Sequence, residues 1–456
     1  MNRIAIRANI TLVIVLILLA GFALFLVEYA MEAPTWVLSE GSPHVYNGSN
    51  IGTGVVTDRT GTVLMKINEK RTYSDSEAIR KSTVHWIGDR NGSVVAPALS
   101  HYSKQMAGYD RLTGTYVYGE NGSVAKLTLS ADVQAAALEA LGDYKGTVGV
   151  YNYKTGQILC AVSTPSFDPD NVPDTESDTT GAYEGMYLNR FTQSLYVPGS
   201  IFKIVTLSAA LETIPDIQQQ TFTCEGSYMI GDQEVICDGV HGRQDLKTAF
   251  RNSCNCAFAQ IAEQLGQDAL EEYVKQFGVT ESIKFDGIST TKGNFVVDGH
   301  TFSTVWSSIG QFMDQVNPCT YLTFVGAVAA GGKGVNPYLV EEISVSGSDT
   351  YTAKTEKRDR VMSEETANTV RELMKFNVQD KYGAENFPGL TVGAKTGTGE
   401  VGNGKKPNAV FTGFVEDEAY PLAFIIIVED AGYGRTFCVP IASKVLSACK
   451  AALDAK

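Results

Sequence analysis

The chain has 456 residues, 44% of them hydrophobic, and a formal net charge of −14. Its length suits two or three domains with a large core. The acidity, with no basic stripe and no basic patch interleaved with aromatics, excludes a nucleic-acid-binding role.

Residues 10–27 are almost unbroken apolar sequence, closed by Glu28. A run of that length crosses a bilayer as a helix. Arg3 and Arg7 precede it. By charge bias, residues 1–9 are predicted as a cytoplasmic tail, 10–29 as a single-pass anchor in the cell membrane, and everything later as extracytoplasmic. A cleaved signal peptide is the alternative, but Ala30 and Ala33 supply a poor cleavage site.

Residues 32–126 read as a small β-rich, pedestal or dimerisation-like domain. Turn signals at Asn47-Gly48, Asn91-Gly92 and Asn121-Gly122 separate short extended runs, and residues 58–61 make another tight turn. No catalytic constellation stands here. A second domain, 127–456, opens with an amphipathic helix over 133–141. A strand over 146–153, a Lys154-Thr155-Gly156 turn and a returning strand over 158–163 follow.

Pro198 and Gly199 then lead into Ser200, Ile201, Phe202 and Lys203, and residues 204–211 have almost no polar face. A helix apolar all round is buried, and positions three apart share a face. Lys203 is therefore expected beside the Ser200 hydroxyl, with a pKa depressed by burial. A neutral amine there can take the serine proton, and a helix start favours the oxyanion.

Eight cysteines are present. Cys224 and Cys237 flank a hairpin turning at Gly231-Asp232; they either form a disulfide or face opposite sides. No C-x-x-C pair and no H-x₃₋₅-H occur, so no metal site is expected. A helix is predicted over 257–265 and another over 321–330. Lys395 to Gly399 enters a strand, residues 408–415 and 421–429 form a hairpin, and a last helix starts near 441. Two outer strands, a helical insertion, three strands and a closing helix make an α+β fold.

Three motifs stand in order: Ser200-x-x-Lys203, Ser253-x-Asn255 and Lys395-Thr396-Gly397-Thr398. S-x-x-K recurs at Ser123/Lys126, Ser289/Lys292 and Ser447/Lys450, but only Ser200 combines helix start and burial. Lys154-Thr155-Gly156 repeats the third motif, yet lies upstream of the nucleophile. Ser253 and Asn255 offer a hydroxyl and an amide for proton relay and substrate binding, although capping of the helix near 257 would also account for Ser253. Lys395 can lower the Ser253 pKa and attract a carboxylate. Thr396 and Thr398 offer that carboxylate hydroxyls, and Gly397 lets a substrate strand pair closely.

The set S-x-x-K, S-x-N, K-T-G resembles that of β-lactamases and penicillin-binding proteins. With Gln134, residues 165–169, Asn189-Arg190, His241-Gly242 and Ile309-Gly310-Gln311, the sequence resembles class B, monofunctional penicillin-binding proteins. The pedestal is short for that class, and Asn317 precedes Pro318 where threonine is usual. The resemblance implies a serine transpeptidase/β-lactamase-like domain: an antiparallel sheet with helices on both faces and a helical lobe, behind a transmembrane helix. It implies an acyl-enzyme at Ser200 formed from D-Ala-D-Ala stem peptides of peptidoglycan, inhibition by β-lactams, and no cofactor. It also implies an oxyanion hole from the backbone N–H groups of Ser200 and Thr398, and a SEDS-type glycan polymerase as partner. A D,D-carboxypeptidase or β-lactamase of the same fold, or a β-lactam sensor, are the alternatives.

Overall fold

The computed structural model describes residues 2–36, 46–47, 50–51, 54–67, 71–107, 109–110, 113–116, 122–402 and 404–455. Its centre is a five-stranded antiparallel sheet in the order Ile158–Thr164, Gly146–Asn152, Leu422–Val428, Asn408–Val415, Val392–Gly399. The strand Leu422–Val428 is buried at every position. Strands covered on both faces read as continuous apolar runs, and successive side chains here enter different cores. Phe424, Ile426 and Val428 meet Val133, Ala137 and the closing helix Gly434–Asp454 on one face. Ala423, Ile425 and Ile427 meet Tyr321 and Phe324 of the helix Pro318–Ala329 on the other. The closing helix starts at Gly434, a full two turns before the expected position. Asn317 caps Pro318–Ala329 through Oδ1, which accepts the N–H groups of Cys319 (3.0 Å) and Thr320 (3.2 Å). A capping side chain is what that position requires, so the departure from threonine leaves the helix start intact.

The helical lobe contains Lys203–Thr213, Leu246–Asn252, Asn255–Leu265 and Gln267–Phe277. Lys203–Thr213 is buried from Lys203 through Ala210, as its all-round apolar sequence requires. The hairpin Ser227–Ile230/Gln233–Ile236 turns at Gly231-Asp232 as expected.

The region before residue 127 differs from its sequence reading in two respects. It carries helices Glu77–Ile87, Pro97–His101 and Ser103–Met106 as well as strands. Asn91-Gly92 lies after a helix rather than between strands, while Gly48 and Asn121 of the other two Asn-Gly pairs lie outside the described residues. Apart from two short ribbons, Tyr46–Asn47 with Asn50–Ile51 and Tyr109–Asp110 with Thr115–Tyr116, its strands also do not form a sheet of their own. Gly54–Thr57, Val63–Ile67, Arg71–Tyr73 and Ser123–Leu127 join Val340–Val345 and Ser348–Thr352 in one six-stranded sheet. The boundary drawn after residue 126 falls inside the strand Ser123–Leu127. Polar contacts reinforce the junction. Asp58 Oδ2 accepts the Ala131 N–H at 3.0 Å. Arg80 holds both oxygens of Asp168, at 2.7 and 2.6 Å. Gln134 accepts from Ala161 N–H and donates to the Ser82 carbonyl.

The amino-terminal helix runs Asn2–Trp36, beyond both ends of the predicted anchor. Its apolar residues between Ile4 and Val27 are exposed to the surroundings, as an anchor in lipid requires.

Candidate active site

The site lies where the helical lobe meets the edge strand Val392–Gly399. Ser200 sits in a tight helical turn, Gly199–Phe202, directly before the buried helix. Gly199 has φ +55°, and a Cβ there would come within 2.2 Å of the Thr398 carbonyl oxygen. A Cβ on Gly397 would stand 2.7 Å from the Pro198 carbonyl oxygen. Two glycines thus let the nucleophile turn and the edge strand touch backbone to backbone. Gly397 serves this protein–protein approach; its missing side chain faces the turn.

Lys203 is fully buried, and its Nζ lies 3.1 Å from Ser200 Oγ. The same nitrogen is 2.7 Å from the Ser253 carbonyl, 3.3 Å from Ser253 Oγ and 2.6 Å from Asn255 Oδ1. Burial pushes the Lys203 pKa down to about 8. Asn255 Nδ2 donates to the Ile236 carbonyl at 2.9 Å, so this amide is engaged by the protein.

Ser253 ends the helix Leu246–Asn252 in a left-handed conformation, φ +59°. A non-glycine residue there carries strain, and such residues concentrate at functional sites. The capping reading of Ser253 fails: the N-cap of Asn255–Leu265 is Cys254, whose Sγ lies 3.4 Å from the Ala257 N–H. The Ser253 hydroxyl instead lies between two lysines, 2.9 Å from Lys395 Nζ. Lys395 is fully buried on its strand. Burial, then the neighbouring Lys203 and Lys381 charges, hold its pKa well below the usual lysine range.

Thr396 and Thr398 are half-buried, but their hydroxyls differ. Thr396 Oγ1 pairs with the Tyr382 hydroxyl at 3.1 Å, which also accepts the Thr396 N–H. The Thr398 hydroxyl makes no hydrogen bond among the described residues, while its carbonyl accepts Gln311 Nε2 at 3.0 Å. All eight residues singled out by motif therefore converge. The competing motifs do not: Ser289 and Ser447 are exposed, Lys450 pairs with Asp454 at 2.8 Å, and Lys154 stands 51% exposed in its turn.

Residues 146–447 match the penicillin-binding protein transpeptidase domain. The chain belongs to that family. This transpeptidase is 28% identical over 361 residues to peptidoglycan D,D-transpeptidase PbpA of Mycolicibacterium smegmatis, covering 72% of each chain. It is 28% identical over 402 residues to stage V sporulation protein D of Bacillus subtilis, covering 82% of this chain and 58% of that protein. The D,D-transpeptidase domain of a peptidoglycan glycosyltransferase from Eggerthella lenta shares the fold, with a TM-score of 0.73 at 25% identity over 88% of this chain and 98% of that one. Penicillin-binding protein A of M. tuberculosis, solved as a ceftriaxone acyl-enzyme, gives 0.75 at 23% identity over 87% and 98%. The resemblance to class B proteins and the α+β transpeptidase fold are borne out.

Two supports of the transpeptidase site were not visible in the sequence. Tyr382 fixes Thr396, and Lys381 Nζ reaches the Asn252 carbonyl at 3.3 Å beside an Arg251–Asp380 ion pair of 2.7 Å. No spacing rule links residues 380–382 to either motif. A third feature lies outside the residues that the three motifs name. Cys224, Cys237, His241 and Cys254 gather with their ligand atoms within 4.8 Å of one another. The two hairpin cysteines are free thiols. Cys-x₁₂-Cys-x₃-His-x₁₂-Cys has none of the short paired spacings that signal a metal in sequence.

Proposed function

We propose that this chain is a membrane-anchored serine D,D-transpeptidase that cross-links peptidoglycan stem peptides and is acylated by β-lactams. The observation that carries the reading is the 3.1 Å contact of buried Lys203 with Ser200, inside a ring closed by Ser253, Asn255 and Lys395. Neutral Lys203 takes the Ser200 proton as Oγ adds to the D-Ala-D-Ala carbonyl carbon. The oxyanion is received by backbone N–H groups, with those of Ser200 and Thr398 assigned by resemblance. The C–N bond then breaks, and the proton passes through Lys203 and the Ser253 hydroxyl to the departing D-alanine amine. An acceptor amine adds to the acyl carbon, gives up its proton along the same route, and Ser200 is released protonated.

Lys395 holds Ser253 in the relay and draws the substrate carboxylate, which Thr398 binds with its unengaged hydroxyl. The edge strand offers the substrate backbone a pairing partner. In this reading residues 10–29 cross the membrane once with residues 1–9 inside, and 127–456 work outside on the support of 32–126. Glycan polymerisation is left to a separate membrane partner of the SEDS type.

Intact-mass measurement of the full chain with a β-lactam, followed over time, tests the proposal. A lasting adduct, absent from Ser200→Ala, is expected. Labelling of Ser200→Ala would remove the nucleophile, and rapid return of free enzyme would make the protein a β-lactamase.

A further inference from the structure

We propose that Cys224, Cys237, His241 and Cys254 bind one structural zinc ion that clamps the segment carrying Ser253 and Asn255. The clamping role rests on the transpeptidase reading, whereas metal binding does not.

Three of the six distances between ligand atoms are those of a tetrahedron, and all six lie within 4.8 Å. Zinc–sulfur bonds of about 2.3 Å and zinc–nitrogen bonds of about 2.0–2.1 Å place two sulfurs ~3.8 Å apart, and a sulfur and a nitrogen ~3.6 Å apart. The Cys237 and Cys254 sulfurs lie 3.8 Å apart. His241 Nδ1 is 3.5 Å from the Cys224 sulfur and 3.5 Å from the Cys237 sulfur. A disulfide would need the sulfurs at about 2.0 Å. Three thiolates and an imidazole suit zinc, and four protein ligands leave no open position, which marks a structural ion rather than a catalytic one.

The fold builds the site from three separate pieces. Cys224 ends the strand Thr221–Cys224, which pairs with Gly242–Asp245 in the register Cys224 to Gly242, so His241 arrives beside it. Cys237 follows the hairpin strand Gln233–Ile236. Cys254 lies between two helices. A group behind the ligands is in place: the Ala257 N–H faces Cys254 Sγ at 3.4 Å. Such a donor to a ligand sulfur is the usual outer support of a thiolate site.

The position of Cys254 gives the ion its purpose. It stands between Ser253, strained at φ +59°, and Asn255, whose amide is tied to the Ile236 carbonyl next to Cys237. An ion joining Cys254 to the hairpin fixes both flanking side chains against Lys203.

The test uses full-length protein purified without chelator. Metal analysis should give about one zinc per chain, lost from Cys237→Ser and His241→Ala and kept in Cys319→Ser, whose thiol lies elsewhere in the core. Cobalt exchanged into the wild-type protein should show the strong visible absorption of a tetrahedral thiolate site, a readout independent of how any variant folds. Removal of the ion should lower the unfolding temperature and slow β-lactam acylation at least tenfold. The proposal is overturned by reduced protein that takes up no zinc when titrated, by equal zinc in the His241→Ala variant, or by an intact mass showing a disulfide within the quartet in place of metal. Zinc retained with no acylation by any β-lactam would instead sink the transpeptidase reading and leave the metal site standing.

Discussion

At the scale of single residues, the site depends on two lysines whose pKa values burial lowers. A lysine with a pKa of about 8 is roughly one-tenth neutral at pH 7 and half neutral at pH 8. β-Lactam acylation should therefore rise about fivefold between these values and level off above them; a flat profile would remove Lys203 as the base. Lys203→Arg should abolish acylation with charge retained, because a guanidinium does not deprotonate in a protein. The threonines separate by their partners. Thr398→Val removes a hydroxyl free for a charged group, a bond worth about 1.5–3 kcal/mol, and should slow acylation tenfold or more. Thr396→Val removes a hydroxyl already held by Tyr382 and should cost less. Equal losses would show that Tyr382 yields Thr396 to the substrate. The motif residues were legible because each is tied to chemistry of its own. The division of labour between Thr396 and Thr398 was not, since Tyr382 comes from a segment with no recognisable pattern.

At the scale of elements, close backbone approach sets the geometry. Gly199→Ala places a Cβ against the Thr398 carbonyl at a positive φ, so it should cost at least about 1–3 kcal/mol and most of the acylation rate. Gly231→Ala, also at positive φ but with nothing within 4 Å, should cost about 1 kcal/mol and leave acylation unchanged. Thermal unfolding together with acylation rates distinguishes the two, and an undisturbed Gly199→Ala would mean that the turn and the strand can separate. The apolar run of Leu422–Val428 and the unpolar face of Lys203–Thr213 announced buried elements directly. The contact between turn and strand was not announced, because glycines at residues 199 and 397 look like any other turn glycines until their neighbours are known.

At the scale of the whole molecule, a 35-residue helix spans ~50 Å at about 1.5 Å per residue, well beyond a hydrocarbon core of about 30 Å. The full chain should fractionate with membranes, and protease added outside intact cells should digest it beyond the anchor. Recovery of a soluble mature chain starting near Ala30 would indicate a signal peptide instead. The long apolar helix was legible from hydropathy alone. The sharing of the six-stranded sheet was not: strand pairing between residues 54–57, 123–127 and 340–345 is set by tertiary contacts that no local pattern records.

That shared sheet has a mechanical consequence. The chain passes from the amino-terminal helix into the sheet through Gly54–Thr57, an interior strand that runs parallel to Ser123–Leu127 and antiparallel to Val63–Ile67. With the chain anchored and acting on the wall as proposed, tension between membrane and wall would load the parallel pairing lengthwise, straining its hydrogen bonds together rather than one after another. A growing wall that drags on the enzyme would thus pull against a joint that slides only when several bonds fail at once, and Ser200 would stay fixed relative to the tether that bears the load.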